Sequence, residues 1–332
     1  MLISVIVPVY QAKNTLNRCV ESLTSFPPHC ASNAEIILVN DGSTDGTKEL
    51  CDEIAAKNNS VKIVHQENKG VAQARNTGIQ NACGEYLMFM DADDEFIPDE
   101  WQTVISCAEK GVDFTAFSYY SMFLDGRMIG EPFPEELEGS ADDEKFMEVL
   151  LGTPLLHTCW GKLFKSEIVR NYNISFPSGM AVGEDYIFVM EYCKHIQSQK
   201  LSNVPVLKYL QNPSGAMRSF DLEKRMNCLD MLWNYCKEYV TDPSRSQYDD
   251  TMCMYQFFSM LTIMRSLVSC VKGFEKVRCA GEFLHTPVVM DIIAHVPTEK
   301  LGGHRRLEYM LVKNNLTLLT VCYFQIKQTL MK

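Results

Sequence analysis

The alternation of apolar runs with amphipathic stretches over the first 110 residues is the strongest constraint on the fold. The runs LISVIVP and EIILVN are rich in Val and Ile and lack polar alternation, which is typical of parallel strands buried on both faces. Between them, Leu16, Cys19, Val20 and Leu23 recur at helical spacing. Repeated strand–helix units predict a doubly wound α/β domain, whose ligands bind at the carboxyl ends of the strands.

The rest of the chain shows a less regular pattern, followed by a helical one. VKIVHQ and YLMFM continue the strands, and helices are predicted over residues 12–26, 44–56 and 71–82. Residues 111–212 predict a strand, a hairpin at Asp125–Gly126, an acidic helix near 142–151, strands at CWGKLF and KLSNVPVLKYL, and a helix ending near Ile196. We expect one domain over residues 1–220 and a mostly helical region over residues 221–332, because 332 residues exceed one compact core.

Composition excludes several classes of protein. A net charge of −11 argues against a nucleic-acid binder, because phosphate contacts need a basic surface. The 13 cysteines include no CxxC pair, which disfavours zinc and a disulfide framework and fits a reducing cytosol. The N-terminal apolar run lacks a basic n-region, and no stretch has the roughly 18 apolar residues that a membrane span needs. We therefore expect a cytoplasmic protein.

The segment VNDGSTDGT places Asp41 at the tip of the second predicted strand. Ser43, Thr44 or Asp45 can cap the helix that follows. Two interpretations stay open for this motif, namely a plain strand–turn–helix connection and a ligand contact. No G-x-G-x-x-G follows the first strand and no P-loop is present, so dinucleotide-dependent hydride transfer and ATP hydrolysis lack their usual motif.

The segment EYLMFMDADDEF ends the fourth predicted strand in a cluster of carboxylates. Like charges this close repel, so the cluster is either a solvated acidic turn or a site for a cation. Asp91 and Asp93 can share one hard cation with substrate oxygens and waters, and Mg²⁺ and Mn²⁺ prefer such oxygen ligands. A third acidic motif, VGEDYIF, places Glu184 and Asp185 at the start of a helix, where capping by the helix dipole is the alternative to a functional role.

These motifs carry a resemblance to a known family. SVIVPVYQAKNTLNRCVESL, LVNDGSTDGT, NKGVAQARNTGI, GEYLMFMDADD and GEDYIF match, in order, the pattern of the family-2 glycosyltransferases. The resemblance covers residues 1–212 and is of the bacterial surface-polysaccharide type. It implies the GT-A nucleotide-diphospho-sugar transferase fold, with a Rossmann-like, mostly parallel central sheet and an appended C-terminal helical region. It also implies a nucleotide-binding half at residues 1–110 and an acceptor half at 111–220.

The resemblance also implies roles for individual residues. The nucleotide pocket would be lined by Pro8, Val9 and Tyr10, with Asp41 on the uracil of a UDP-sugar and Arg75 on the donor. In the DXD motif, Asp91 would lie near the ribose and Asp93 would hold Mn²⁺ or Mg²⁺ on the diphosphate. Asp185 would be the catalytic base, with Glu184 beside it. The implied reaction inverts the anomeric configuration and transfers a hexose or N-acetylhexosamine to a glycan or lipid-linked acceptor in polysaccharide biosynthesis.

Some residues fit the family pattern less well. The family often has Asn-Lys-Leu where this chain has WGKLF, so Trp160 and Lys162 are only candidate acceptor contacts. Arg218 is a candidate diphosphate contact or a surface arginine. His157 and His195 are expected to be structural or surface histidines.

The C-terminal tail differs in charge from the rest of the chain. From Lys300 onward it has six basic residues against Glu308, a net charge of +5. With LTLLTVCYF it could form a peripheral contact with the inner face of the cytoplasmic membrane, and packing on the first domain is the alternative. Two other functions stay open for the protein, a nucleotidyltransferase on the same architecture and a non-catalytic nucleotide- or glycan-binding module.

Overall fold

The computed structural model describes residues 2–27, 30, 32–139, 143–180, 182–211 and 220–330. The chain divides into two compact units. The first unit comprises residues 1–147, 154–179 and 184–213, and the second comprises residues 148–153, 180–183 and 214–332.

The first unit is built on one mixed sheet. Within the described residues its strands are β1 (Ile3–Val9), β2 (Ala34–Asp41), β3 (Val61–Gln66), β4 (Tyr86–Phe89), β5 (Glu95–Phe96), β6 (Phe114–Met122), β7 (Met128–Gly130), β8 (Lys162–Lys165) and β9 (Gln199–Leu210). Their order is β3-β2-β1-β4-β8-β6-β9-β5, and β7 pairs with β6. The four predicted N-terminal strands are therefore adjacent and parallel, in the order 3-2-1-4.

Two details of the sheet depart from the prediction. The sheet is mixed, because β8 runs antiparallel to both of its neighbours, β4 and β6, whereas β1–β4 and the β6–β9 pair are parallel. β3 is not buried on both faces. It lies at the edge of the sheet, and Lys62 and His65 are exposed on it, whereas β1, β2 and β4 are buried along their whole length.

The helices of the first unit follow the strands as the sequence predicts, with short additions. They are α1 (Leu16–Thr24), α2 (Thr47–Lys57), α3 (Val71–Asn81), α4 (Trp101–Glu109), α5 (Asp143–Gly152), α6 (Ser166–Asn171) and α7 (Glu184–Cys193). Only the first half of α5 belongs to this unit, since residues 148–153 are part of the second. The apolar face predicted for α1 is buried. The sequence patterns did not predict β5, α4 or α6. For α4 a signal was present, because Trp101, Val104, Ile105 and Ala108 have helical spacing and are buried in the structure.

The first turn of α2 differs from its prediction. The helix begins at Thr47 rather than Thr44, and the residue before it is Gly46, at φ 93°. Neither Ser43 nor Thr44 caps it. The Asp45 carboxylate instead accepts hydrogen bonds from the Thr47 N–H and hydroxyl, at 3.1 and 2.5 Å. The positive φ of Gly46 lies outside the range of a right-handed α-helix, so the helix begins after this residue. An L side chain would be strained at this position.

The position of α3 depends on a close approach to the sheet. A Cβ at Gly78 would overlap the side chain of Ile6 on β1, so only glycine lets the helix pack this closely. The short distance between α3 and β1 also sets how far Arg75, one turn earlier on α3, lies above the sheet.

The second unit is helical, as predicted. Its helices are α8 (Leu222–Tyr239), α9 (Asp249–Cys270), α10 (Glu275–Leu284), α11 (Pro287–His295), α12 (Gly303–Lys313) and α13 (Thr317–Leu330). Its core includes Phe257, Met260, Met264, Phe283 and Phe324, so the Met- and Leu-rich faces form the interior of this unit. No helix within the described parts of the chain is long and apolar enough to cross a membrane. None of the 13 cysteines, all of which lie within the described residues, forms a disulfide.

Candidate active site

The candidate site lies at the carboxyl ends of β1, β2 and β4. Val9 ends β1 opposite Asn40, and Asp41 is the last residue of β2. Asp91 follows β4 by two residues, after a hydrogen bond from the Met90 N–H to Ile6. The parallel register therefore brings the first two acidic motifs to one edge of the sheet.

The loops that follow β1 and β2 are bonded to each other. The Gln11 N–H donates to the Ser43 hydroxyl at 3.0 Å, and the Gln11 side chain exchanges two hydrogen bonds with Thr44. The Ala12 N–H donates to the Thr47 hydroxyl. Of the residues predicted to line the nucleotide pocket, Pro8 and Val9 are buried within β1, and Tyr10 is 52% exposed at the loop entrance. Tyr10 is thus the member of that set whose side chain a ligand can reach.

Asp41 is buried and holds the segment that leads into α3. Its carboxylate accepts hydrogen bonds from the Gln66 amide at 2.8 Å, the Lys69 N–H at 2.8 Å and the Gly70 N–H at 2.9 Å. A carboxylate can accept more bonds than these three, so lone pairs remain for a ligand. Its part in binding a nucleobase stays a prediction.

Arg75 connects the second and third acidic motifs. Its guanidinium contacts Asp91 Oδ1 at 3.0 Å, Glu184 Oε1 at 2.9 Å and Asp185 Oδ1 at 2.6 Å, and Phe176 lies over its face. Burial disfavours its charge, but these carboxylates raise the pKa of Arg75 well above its usual range. Arg75 therefore stays charged and joins the strand-tip aspartate to the acids at the start of α7.

The two acids of α7 have different environments. Burial, together with the charge of Asp185, raises the pKa of Glu184 above its ordinary value, and Arg75 opposes that rise. The second oxygen of Asp185 accepts a bond from the Cys159 N–H at 3.2 Å. Arg75 and the start of α7 thus hold Asp185 in one orientation while part of its side chain remains accessible.

The turn after β4 carries more negative charge than its neighbours neutralise. Burial and the charge of Asp91 raise the pKa of Asp93. Burial and Asp91 also raise the pKa of Asp94, which is 1% exposed, well above its usual range. Asp94 Oδ1 accepts a bond from the Leu210 N–H at 2.9 Å, and Oδ2 has no hydrogen-bond partner among the described residues. The sequence interpretation did not assign Asp94 a role, although it is the third acid of DADD.

These residues fit a partial site for a hard divalent cation. Asp91 is 32% exposed and engages Arg75 through one oxygen, and burial and the charge of Asp91 raise the pKa of Asp93, a shift that a bound cation would oppose. Within the described parts of the chain there is no group of three His, Cys, Asp or Glu side chains arranged to hold a metal ion. A cation held by Asp91 and Asp93 would therefore need oxygens from a ligand or water.

The candidate acceptor residues lie beside Asp185. Trp160 forms a β-bridge with Phe89 at the end of β4, and its ring stacks on Tyr209 at 5.3 Å and meets Tyr119 edge-on. Lys162 is buried, and its ammonium donates to the Thr158 hydroxyl at 3.1 Å. Burial lowers the pKa of Lys162 to about 8, although Asp185 opposes the shift.

Three residues from the sequence analysis remain, namely His157, His195 and Arg218. His157 stacks on Tyr186, and His195 stacks on Tyr172. Arg218 lies outside the described residues.

Comparison with known proteins supports the resemblance. Residues 4–162, a little under half of the chain, match the model described as "Glycosyl transferase family 2". This match confirms the resemblance that the ordered motifs predict. The protein is a glycosyltransferase, and the α/β fold with an appended helical region is confirmed.

Individual family relatives extend the match beyond that segment. The uncharacterized glycosyltransferase EpsJ of Bacillus subtilis is 26% identical, over 99% of this chain and 97% of its own length. The crystal structure of S. aureus TarS residues 1–349 in complex with UDP-GlcNAc has a TM-score of 0.71 at 18% identity, over 99% of this chain and 92% of the other. The mannosyltransferase PcManGT of Pyrobaculum calidifontis, in complex with GDP-Man and Mn²⁺, has a TM-score of 0.54 at 15% identity, over 95% and 86%. Both structures share the fold of this chain over nearly the whole length of the chain.

Proposed function

We propose that this glycosyltransferase moves a hexose or N-acetylhexosamine from a UDP-sugar to a hydroxyl of a glycan or lipid-linked acceptor, with inversion at the anomeric carbon. The observation that carries the proposal is the Arg75 cluster, which connects the strand-tip Asp91 to Asp185 on α7. A donor bound at the ends of β1, β2 and β4 would have its leaving diphosphate near Asp91 and Asp93 and its sugar near Asp185.

Donor binding uses the two bonded loops. Tyr10 provides an exposed aromatic surface for the base, and Asp41 provides remaining lone pairs for its N–H. Because Gln11 already bonds to Ser43 and Thr44, these loops need little ordering when the nucleotide binds. The structure with UDP-GlcNAc supports a uridine donor, and the one with GDP-Man makes GDP-sugars the alternative to test.

The two carboxylates of the DXD motif would hold Mn²⁺ or Mg²⁺. A divalent ion bound there supplies a positive charge that stabilises the departing diphosphate. Asp91 and Asp93 would contribute the protein ligands. Arg75 fixes the orientation of Asp91 and, as a buried cation, adds to the positive potential at this edge of the sheet.

Asp185 acts as the general base. An acceptor hydroxyl that approaches the face of the sugar opposite the diphosphate would pass its proton to Asp185 as its oxygen attacks the anomeric carbon. The ion pair with Arg75 and the bond from the Cys159 N–H orient Asp185. Glu184 completes the pairing of Arg75. In this proposal residues 1–110 bind the nucleotide, residues 111–220 bind the acceptor, and residues 221–332 are the appended helical region.

Substitution of Asp185 tests the base directly. We expect Asp185→Asn to lower turnover by about 10²- to 10⁴-fold while donor affinity stays within a few-fold, because an amide keeps one acceptor oxygen of the carboxylate but cannot take a proton. Glu184→Gln is the matched control on the same turn, and its turnover should fall much less. Transfer from a panel of UDP-sugars measures both. Full turnover by Asp185→Asn would contradict the assignment.

Calorimetric titration separates this proposal from its rivals. UDP should bind more tightly with Mn²⁺ than without it, and Asp93→Asn should abolish the difference. A non-catalytic nucleotide- or glycan-binding module would bind without turnover. A nucleotidyltransferase would instead prefer a nucleoside triphosphate and release pyrophosphate.

A further inference from the structure

The exposed side of α13 is mostly apolar, although it faces away from the core. Its exposed apolar residues are Leu318, Leu319, Cys322, Ile326 and Leu330, and the uncharged Gln325 and Thr329 are exposed with them. The opposite side packs into the core of the second unit through Val321 and Phe324. A solvent-facing helix surface normally carries charged residues, so a largely apolar and uncharged face of this length indicates a contact surface.

The exposed side of the neighbouring helix is apolar and basic. Arg306, Leu307, Met310 and Lys313 are exposed on α12, which packs against α13. We call these residues, together with the five exposed apolar residues of α13, the α12–α13 face. It combines apolar side chains with basic ones and carries no acid.

The absence of acid from this face has a structural cause. Glu308 is the only acidic residue after position 300 in the sequence. It is 0% exposed and accepts bonds from Arg305 at 2.9 Å and Lys327 at 2.8 Å, which tie α12 to α13. The two acids of α10, which also packs against α13, are Glu275 and Glu282, and both pair with Arg278.

We propose that the α12–α13 face binds the surface of an anionic membrane. Leu319 and Ile326 would enter the boundary between headgroups and acyl chains, and Arg306 and Lys313 would contact lipid phosphates. A second copy of the chain fits this face less well. A two-fold contact would bring Arg306 and Lys313 against their own equivalents, with no acid on the face to pair with them. The inference does not depend on the proposed reaction, since every residue of this face lies in the second unit.

Vesicle binding by the whole chain tests the proposal. We expect co-sedimentation with vesicles of phosphatidylcholine and phosphatidylglycerol, much weaker co-sedimentation with phosphatidylcholine alone, and weakening by added salt. The double variant Arg306→Ser and Lys313→Ser should lower the partition coefficient roughly thirty-fold on the mixed vesicles. Leu319→Glu with Ile326→Glu should lose measurable binding.

Matched controls use exposed residues of the first unit. Leu124→Glu with Met128→Glu, and Lys48→Ser with Lys57→Ser, make the same changes elsewhere and should leave vesicle binding unchanged. Sedimentation velocity detects the competing occupant. Two results would overturn the proposal. One is vesicle binding by the Leu319→Glu, Ile326→Glu variant that equals that of the wild type. The other is a wild-type dimer that does not bind vesicles and that dissociates in this variant. Donor binding and turnover in solution should be the same in all four variants, so a failed reaction and a failed membrane contact are distinguishable.

Discussion

The two units contain buried ion clusters of opposite composition. In the first, one cation, Arg75, is shared by Asp91, Glu184 and Asp185. In the second, one anion, Glu308, is shared by Arg305 and Lys327. The first cluster joins residues up to 110 positions apart, whereas the second joins the consecutive helices α12 and α13. The first has surplus negative charge and the second has surplus positive charge.

The difference shows how similar interactions serve different purposes. Around Glu308 the partners are part-exposed side chains whose surplus charge reaches solvent, so the cluster is complete without a ligand. Around Arg75 the surplus belongs to carboxylates, and Asp93, whose pKa is raised by burial and by the charge of Asp91, lies on the same turn as Asp91. A further cation would offset that surplus, which supports the proposed donor site.

Removal of Arg75 should have the largest effect. We expect Arg75→Met to lower the free energy of unfolding by about 3–5 kcal/mol, because three partly buried carboxylates would lose their common partner. Turnover should fall as well, since Asp185 would lose its orientation. Urea denaturation measures the first effect and a transfer assay the second.

Arg127 provides the matched control for Arg75. It pairs with Asp125 at an exposed turn, so Arg127→Met should change stability by no more than about 0.5 kcal/mol. Equal stability of the two variants would show that the Arg75 cluster does not stabilise the first unit.

Neutralisation of Glu308 should have a smaller effect. We expect Glu308→Gln to cost about 2 kcal/mol, because Arg305 and Lys327 can turn toward water when their buried partner loses its charge. Donor affinity should stay unchanged. Thermal unfolding and UDP titration check the two statements, and a loss of UDP affinity would contradict the independence of the two clusters.

Lys162 should give the smallest effect, and one that depends on pH. Burial lowers its folded-state pKa to about 8, below the unfolded value of about 10.4, so the buried ammonium costs stability most fully below pH 8. The cost is relieved as pH rises from about 8 to 10.4. Relative to Lys162→Met, the wild type should therefore gain about 1–2 kcal/mol between about pH 7 and pH 9.5. Denaturant titrations at both pH values measure it, and a constant difference would exclude this shift.

The sequence predicted the positions of some site residues better than their contacts. Asp41 and Asp91 follow buried apolar runs, and parallel register then brings them to one edge of the sheet. The partners of Arg75 were not predictable in this way. Two of them lie 109 and 110 residues further along the chain, and helical spacing carries no information on contacts over such distances.

The same limit explains why two details of the sheet, the direction of β8 and the exposure of β3, depart from the prediction. Apolar runs predict strands, but the direction of β8 depends on how the preceding chain reaches it, and the exposure of β3 depends on its place at the edge. Asp94 is a further case. Its bond to the Leu210 N–H spans 116 residues, so no local pattern separates it from the other two acids of DADD.

The bonds made by Asp41 have a consequence for how its variants would behave. Its carboxylate already gathers the Gln66 amide and the Lys69 and Gly70 N–H groups, and so it orders the entrance to α3 in the free protein. Truncation to alanine would release that entrance and shift Arg75 behind it. A weaker affinity for nucleotide in the alanine variant would then have two causes, the loss of order at the entrance to α3 and the loss of a direct contact with the ligand. The asparagine variant keeps an acceptor oxygen and would separate these two causes.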